Sequence, residues 1–143
     1  MTEVPDTATI NAFNNGIVDE FRANDGKVGG QFANANLLLL ITTGAKSGKE
    51  RVSPLAYFRI DGKLIILGSF AGAPVSPAWV HNLRANPQAH VEVGTDAFDV
   101  TARELPATER EELFPKVTAV APGFAEYQAK TSRVIPLFEL QRT

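Results

Sequence analysis

At 143 residues the chain suits one folded unit that buries roughly two thirds of its unfolded surface, and a net charge of −2 provides no global basic field for nucleic acid. The absence of cysteine excludes disulfides, thiolate nucleophiles and cysteine-ligated metals, and the two histidines, His81 and His90, carry no spacing that signals a metal site. No apolar run approaches the ~20 residues of a membrane span and no basic-then-apolar leader opens the chain, so the expectation is one cytoplasmic domain over residues 1–143.

From about Thr7 to Arg22, Ile10, Phe13, Ile17, Val18 and Phe21 recur at helical spacing with Asp6 placed to cap, which predicts a helix serving as a flank or lid. The glycine-dense stretch from Asn24 to Gly30 reads as a connector. Asn36 to Thr43, with four consecutive leucines and no polar face, predicts a buried strand. Val52 to Ile60 and Lys63 to Phe70 read as a hairpin around Asp61-Gly62.

Ser76 and Pro77 announce a helix that Asn86-Pro87 ends. Ala89 to Val93 and Ala97 to Leu105 then form two strands about a Gly94-Thr95-Asp96 turn, with Phe98, Val100 and Ala102 on one face of the second. Thr108 and Glu111 have the spacing of a capping box, predicting a helix to about Val120 that resumes through Tyr127 to Lys130. Arg133 to Gln141 closes the chain as a strand. Six or so short strands with a few outer helices predict an α+β, mainly β, fold: a closed or half-open antiparallel barrel with flanking helices.

Two segments carry candidate chemistry. In Gly44-Ala45-Lys46-Ser47-Gly48-Lys49-Glu50-Arg51, glycines can turn backbone N–H groups into one concavity while Lys46, Lys49 and Arg51 offer charge-assisted bonds to an anion. Arg51 is the strongest of these, because its planar fork meets two oxygens at once. Glu50 stands where a nucleotide-binding P-loop needs Ser or Thr, so ATP or GTP hydrolysis is disfavoured, and the segment is equally compatible with a solvated turn. In Gly68-Ser69-Phe70-Ala71-Gly72-Ala73-Pro74, small residues let a flat ring approach the backbone beside the Ser69 hydroxyl, although an ordinary loop has the same composition. Trp79, the lone tryptophan, is either a core anchor or a platform for a ring. Without a GxSxG elbow, an HExxH pair or an evident base for Ser69, an enzyme built on this chain would draw its reactive atoms from a bound organic cofactor.

The motifs LLLLITTGAKSGKERVSPL, LIILGSFAGAP, PAWVHNLRANP and DVTARELPATEREELFP occur in this order, and together they resemble the deazaflavin-dependent nitroreductase family of actinobacteria from about Asn36 to Leu140. The resemblance implies a split β-barrel, related to the FMN-binding barrels, that uses coenzyme F420. It implies that Lys46, Ser47, Gly48, Lys49 and Arg51 hold the coenzyme's phosphate and acidic tail, and that Val52, Ser53 and Pro54 run along its linker and ring. Leu67, Gly68, Ser69 and Phe70 would lie beside the deazaflavin, with Ala78, Trp79, Asn82 and Leu83 as a helix wall. No metal is implied.

The implied reaction is hydride transfer from reduced coenzyme F420 to a small electrophilic acceptor such as a quinone, an unsaturated ester or lactone, or a nitro compound. Ser69 or a backbone N–H would stabilise charge on the acceptor oxygen and Tyr127 or water would give the proton, although Tyr127 is equally read as a half-buried helix aromatic. Relatives often carry a basic residue where Ala45 stands, and some nitro-reducing ones are richer in tyrosine than Ala121 to Tyr127. A wider, more apolar mouth suited to quinones is therefore expected. The competing readings are an FMN-dependent barrel oxidoreductase and a deazaflavin carrier without chemistry. Homodimerisation and peripheral membrane contact through Phe13, Phe21 and Phe32 stay open at this stage.

Overall fold

The computed structural model describes residues 7–24, 26, 36–46, 48–68 and 77–143, with residues 7–14 described by their backbone alone. Helix α1 (Thr7–Ala23) precedes strands β1 (Leu37–Thr43), β2 (Glu50–Ala56), β3 (Phe58–Ile60) and β4 (Lys63–Leu67). Helix α2 (Ala78–Ala85), strands β5 (Gln88–Val93) and β6 (Asp96–Glu104), helices α3 (Ala107–Val120) and α4 (Gly123–Ala129), and strand β7 (Leu137–Arg142) follow. Asp6, Ser76, Phe32 and most of the Asn24 to Gly30 connector lie outside the described residues.

The seven strands pair antiparallel in the order β2-β1-β5-β6-β7-β4-β3. Strands β2 and β3 stand at the two ends of that order, yet only Tyr57 separates them in the chain. A flat sheet of seven strands would hold its edges about 29 Å apart, six spacings of ~4.8 Å, so the sheet curls until its edges nearly meet. The run from Val52 to Ile60, expected as one strand, is therefore divided at Tyr57, whose N–H makes the last bond of the β1–β2 ladder, to the Asn36 carbonyl at 3.0 Å, before Phe58 to Ile60 turns to pair with β4. This bend raises the strand count from six or so to seven. Pro54 sits in β2 at the split edge, where a missing N–H costs no ladder bond.

Strand alternation sorts the apolar residues into three clusters. Leu38, Leu40, Leu64, Ile66, Val91, Val100, Phe138 and Leu140 face the barrel interior, which α2 plugs with Trp79, Val80 and Leu83. Leu37 and Leu39 face outward beneath Val18 and Phe21 of α1, which explains why the four leucines show no polar face. Ile60, Ile65, Leu67 and Leu137 face outward on the other flank beneath Leu113 and Val117 of α3.

At Asp61 and Gly62, φ is 53° and 77°, the paired positive values of a tight hairpin turn. The β5–β6 turn is one residue shorter than expected, because Asp96 already pairs with Val93. Helix α3 starts at Ala107 behind Pro106 and has no side-chain cap bond, so the capping box at Thr108 does not form. Strand β7 starts at Leu137, not Arg133, because residues 133–136 spend their backbone groups on Gln128, Arg110 and Gly68.

Candidate active site

The basic segment is a hairpin between β1 and β2. The Gly44 N–H donates to the Lys49 carbonyl at 2.8 Å and the Gly48 N–H to the Gly44 carbonyl at 2.9 Å, with Gly48 at φ 68°. A Cβ at Gly48 would meet nothing within 4 Å, so glycine serves the backbone angle there and not close packing. The Ala45 N–H donates to Asn82 Oδ1 at 2.9 Å, and Asn82 Nδ2 donates to Thr42 Oγ1 at 3.2 Å. The N–H groups of Gly44, Ala45 and Gly48 are thus committed to protein acceptors, so they do not form the expected anion nest. Lys46, Lys49 and Arg51 are all exposed on this hairpin, and Ser47 lies outside the described residues.

Along β2, Arg51 and Ser53 sit opposite Thr42 and Leu40 on the inward side, while Val52 and Pro54 sit opposite Ile41 and Leu39 on the outward side. Val52 packs with the α1 cluster. The side chains of Val52, Ser53 and Pro54 therefore do not share one face.

Helix α2 links the two candidate segments. Asn82, 7% exposed, holds the hairpin, and Val80, fully buried, packs on Gly68 at the end of β4. A Cβ on Gly68 would lie 2.7 Å from Val80 Cγ2 and 2.9 Å from Pro136 Cγ, so only glycine fits. One helix thus touches the basic hairpin and the start of the small-residue segment through residues two positions apart. Ala78 is exposed, whereas Trp79 and Leu83 are buried in the interior cluster, Trp79 edge-to-face with Phe138 at 5.6 Å. Leu67 faces outward beneath α3, and Ser69 and Phe70 lie outside the described residues.

Tyr127 is half-buried on α4 and stands edge-to-face with Phe124 at 5.6 Å, which meets Phe58 at the same distance. Lys130 Nζ lies 5.7 Å from the Tyr127 ring. Arg133, on the segment after α4, donates to the Gly68 carbonyl at 3.0 Å, and burial pushes its guanidinium below the ordinary arginine range.

A groove of about 570 Å³ runs beside Gly48 and Glu50, over Ile41, Thr43, Gln88, His90, Asp99 and Thr143. His90 Nδ1 and Asp99 Oδ1 meet across β5 and β6 at 2.9 Å. The sequence reading missed this pair because it counted three turn residues at Gly94-Thr95-Asp96. A two-residue turn puts 90 opposite 99. The groove's carboxylates, Glu50 and Asp99, suit a polyanion poorly, which leaves the cationic hairpin as the better candidate for an anion site. Among the described residues, no three His, Asp or Glu side chains converge as metal ligands.

A curled seven-stranded antiparallel sheet with helices on its outer faces and one in its mouth defines the split β-barrel class. A profile of the F420H(2)-dependent quinone reductase family matches residues 15–141, and the chain belongs to that family. It is 36% identical over 128 residues, 85% of both chains, to the F420H(2)-dependent quinone reductase Rv1261c of Mycobacterium tuberculosis (strain ATCC 25618 / H37Rv). Among solved structures it resembles an F420-H2 dependent reductase, FDR-A, with a TM-score of 0.67 and 42% identity over 74% of this chain and 94% of that one. It also resembles a protein described as a domain-swapped dimer, with a TM-score of 0.68 and 36% identity over 94% and 98% of the two chains.

Proposed function

We propose that this chain is an oxidoreductase that uses reduced coenzyme F420 to reduce a quinone or a similar conjugated electrophile. The single observation that carries the reading, beside family membership, is that α2 holds an exposed three-cation hairpin through Asn82 and the glycine end of β4 through Val80. A long anionic ligand with a flat head suits that pairing. Bound coenzyme F420 supplies a two-electron hydride donor, and the remaining tasks fall to this chain.

Lys46, Lys49 and Arg51 would hold the anionic end, Arg51 offering a planar two-donor fork and the lysines mobile point charges. Asn82 fixes the height of the hairpin, since its amide spans Thr42 and Ala45. The small-residue composition from Gly68 to Pro74 suits the close approach of a flat ring, with Ser69 as the candidate hydroxyl for it. As charge builds on the acceptor oxygen, the Ser69 hydroxyl or a neighbouring backbone N–H stabilises it and Tyr127 or water gives the proton.

The chain acts on this reading as one domain, and the likeness to a domain-swapped dimer supports a homodimer. Among the described residues no helix is long and apolar enough to cross a membrane. Binding tests the reading: titration of oxidised coenzyme F420 into wild type should saturate with a spectral change, and the Lys46/Lys49/Arg51 triple alanine variant should bind at least 100-fold more weakly. Equal affinity in the two proteins would refute this placement of the tail.

A further inference from the structure

Arg110 on α3 is only 7% exposed, and among the described residues its one carboxylate partner, Glu111, has a side chain 73% exposed. A buried cation balanced mainly by a solvated carboxylate is an expensive way to pin a helix, because an apolar side chain of similar size packs there without desolvation. Leu113 and Val117 already anchor α3 to the barrel. The bonds of Arg110 lead elsewhere. Nε donates to the Ile135 carbonyl at 2.8 Å, Nη2 donates to Gln128 Oε1 at 2.8 Å, and the guanidinium stacks 4.5 Å from the Phe114 ring.

Gln128, on α4, accepts from the Ile135 N–H at 2.9 Å and donates from Nε2 to the Arg133 carbonyl at 2.8 Å. The segment 133–136 is therefore gripped at three backbone groups by two side chains. That segment in turn grips Gly68: Arg133 Nη1 donates to its carbonyl at 3.0 Å, and its N–H donates to the Pro136 carbonyl at 2.9 Å. Val80 and Pro136 fill the side of Gly68 on which a Cβ would stand. Every link ends on the residue at which β4 runs into the small-residue segment.

We propose that Arg110 and Gln128 are positioning residues, which set the place of Gly68 through the 133–136 segment and so fix the ring-side geometry of the active site without touching ligand. The link to Gly68 stands on hydrogen bonds alone, while its catalytic consequence rests on the proposed function. The bonds of Arg110 and Gln128 named above involve none of Lys46, Lys49 and Arg51, so turnover should fall more than coenzyme affinity. A displacement of about 1 Å at a reacting centre costs on the order of 100-fold in rate.

Two readouts of Gln128→Met and Arg110→Met test this, one independent of any reaction. In ligand-free protein, amide hydrogen exchange at Gly68 should quicken by about tenfold or more relative to wild type, while Leu40 and Val91 in the interior ladder keep their protection. With reduced coenzyme F420 and menadione, kcat should fall on the order of 10- to 100-fold with the coenzyme Kd within about twofold. Arg110→Lys, which keeps the charge but loses the fork, should fall between wild type and Arg110→Met. Unchanged Gly68 exchange overturns the proposal, as does a uniform loss of protection across the barrel, or a freed Gly68 with kcat intact. If Arg110→Met does not fold, Gln128→Met decides. If wild type itself never oxidises the coenzyme, the functional reading falls, and Gly68 exchange still decides whether the relay positions that residue.

Discussion

Asn82 accepts a hydrogen bond from the Ala45 N–H at 2.9 Å, which ties the tip of the basic hairpin to the helix that plugs the barrel. The same amide donates to the Thr42 hydroxyl, so replacing Asn82 by Ala removes the partner of the part-buried Ala45 N–H and of the buried Thr42 hydroxyl together. Asn82→Ala should lower unfolding free energy by about 1–3 kcal/mol in urea denaturation. It should also weaken coenzyme F420 binding, because the cations lose their fixed height. Asn82→Asp keeps the acceptor for Ala45 and should retain more stability than Ala. Its added negative charge beside the hairpin should nevertheless weaken polyanion binding in the same titration.

Arg51→Ala should weaken coenzyme binding by about 2 kcal/mol, the scale of one lost charge-assisted contact. The Michaelis constant for the coenzyme should rise more than turnover falls, because that contact is made equally in the bound state and the transition state. Ser69→Ala should do the reverse. Steady-state kinetics on the two variants separates tail binding from chemistry.

Gly68→Ala tests the contact between β4 and α2. The added methyl would sit 2.7 Å from Val80 Cγ2 and 2.9 Å from Pro136 Cγ, and Val80 is fully buried with no room to retreat. Overpacking of this kind costs about 1–3 kcal/mol. Val80→Ala opens the space, so the double variant should be less destabilised than the sum of the two singles. A thermodynamic cycle from denaturant melts measures the coupling; strict additivity would place the two residues out of contact.

The acid limb of stability should depend on two arginines. Hydrogen bonds from Arg84 hold Glu104 below the ordinary glutamate range, and those from Arg103 do the same for Glu109. A carboxylate with a lowered folded-state pKa contributes stability that is full above the unfolded value of ~4.3 and is lost as pH falls through the lowered one. The gap in Tm between wild type and Arg84→Met or Arg103→Met should thus be full at pH 6–7 and narrow below about pH 4. Arg103→Met should show the wider gap at neutral pH, because it also strips the cation from Glu139, whose side chain is only 12% exposed.

Local chemistry made several elements legible from the sequence. The period of Ile17, Val18 and Phe21 marks α1, four leucines mark β1, and Asp61-Gly62 marks the hairpin turn. The bend at Tyr57 was not legible, because Val52 to Ile60 is strand-forming throughout and only the closing of the sheet decides which half pairs with β1 and which with β4. The capping box at Thr108 failed for a related reason, since Pro106 starts the helix earlier and leaves Thr108 inside it. At the site, residue type exposed the cations, whereas their support did not show. Nothing in the sequence says that an amide on α2 will meet Ala45, that Arg110 will reach Ile135 and Gln128, or that Trp79 will settle against Phe138.

Anaerobic mixing of reduced coenzyme F420 with the purified chain and menadione tests the central claim most directly, followed through the return of the oxidised deazaflavin's visible absorbance. Rapid, enzyme-dependent oxidation that stops at one equivalent of quinone per coenzyme, with no comparable turnover of reduced FMN, is the predicted result. A coenzyme that stays reduced beside the quinone at saturating protein would contradict it.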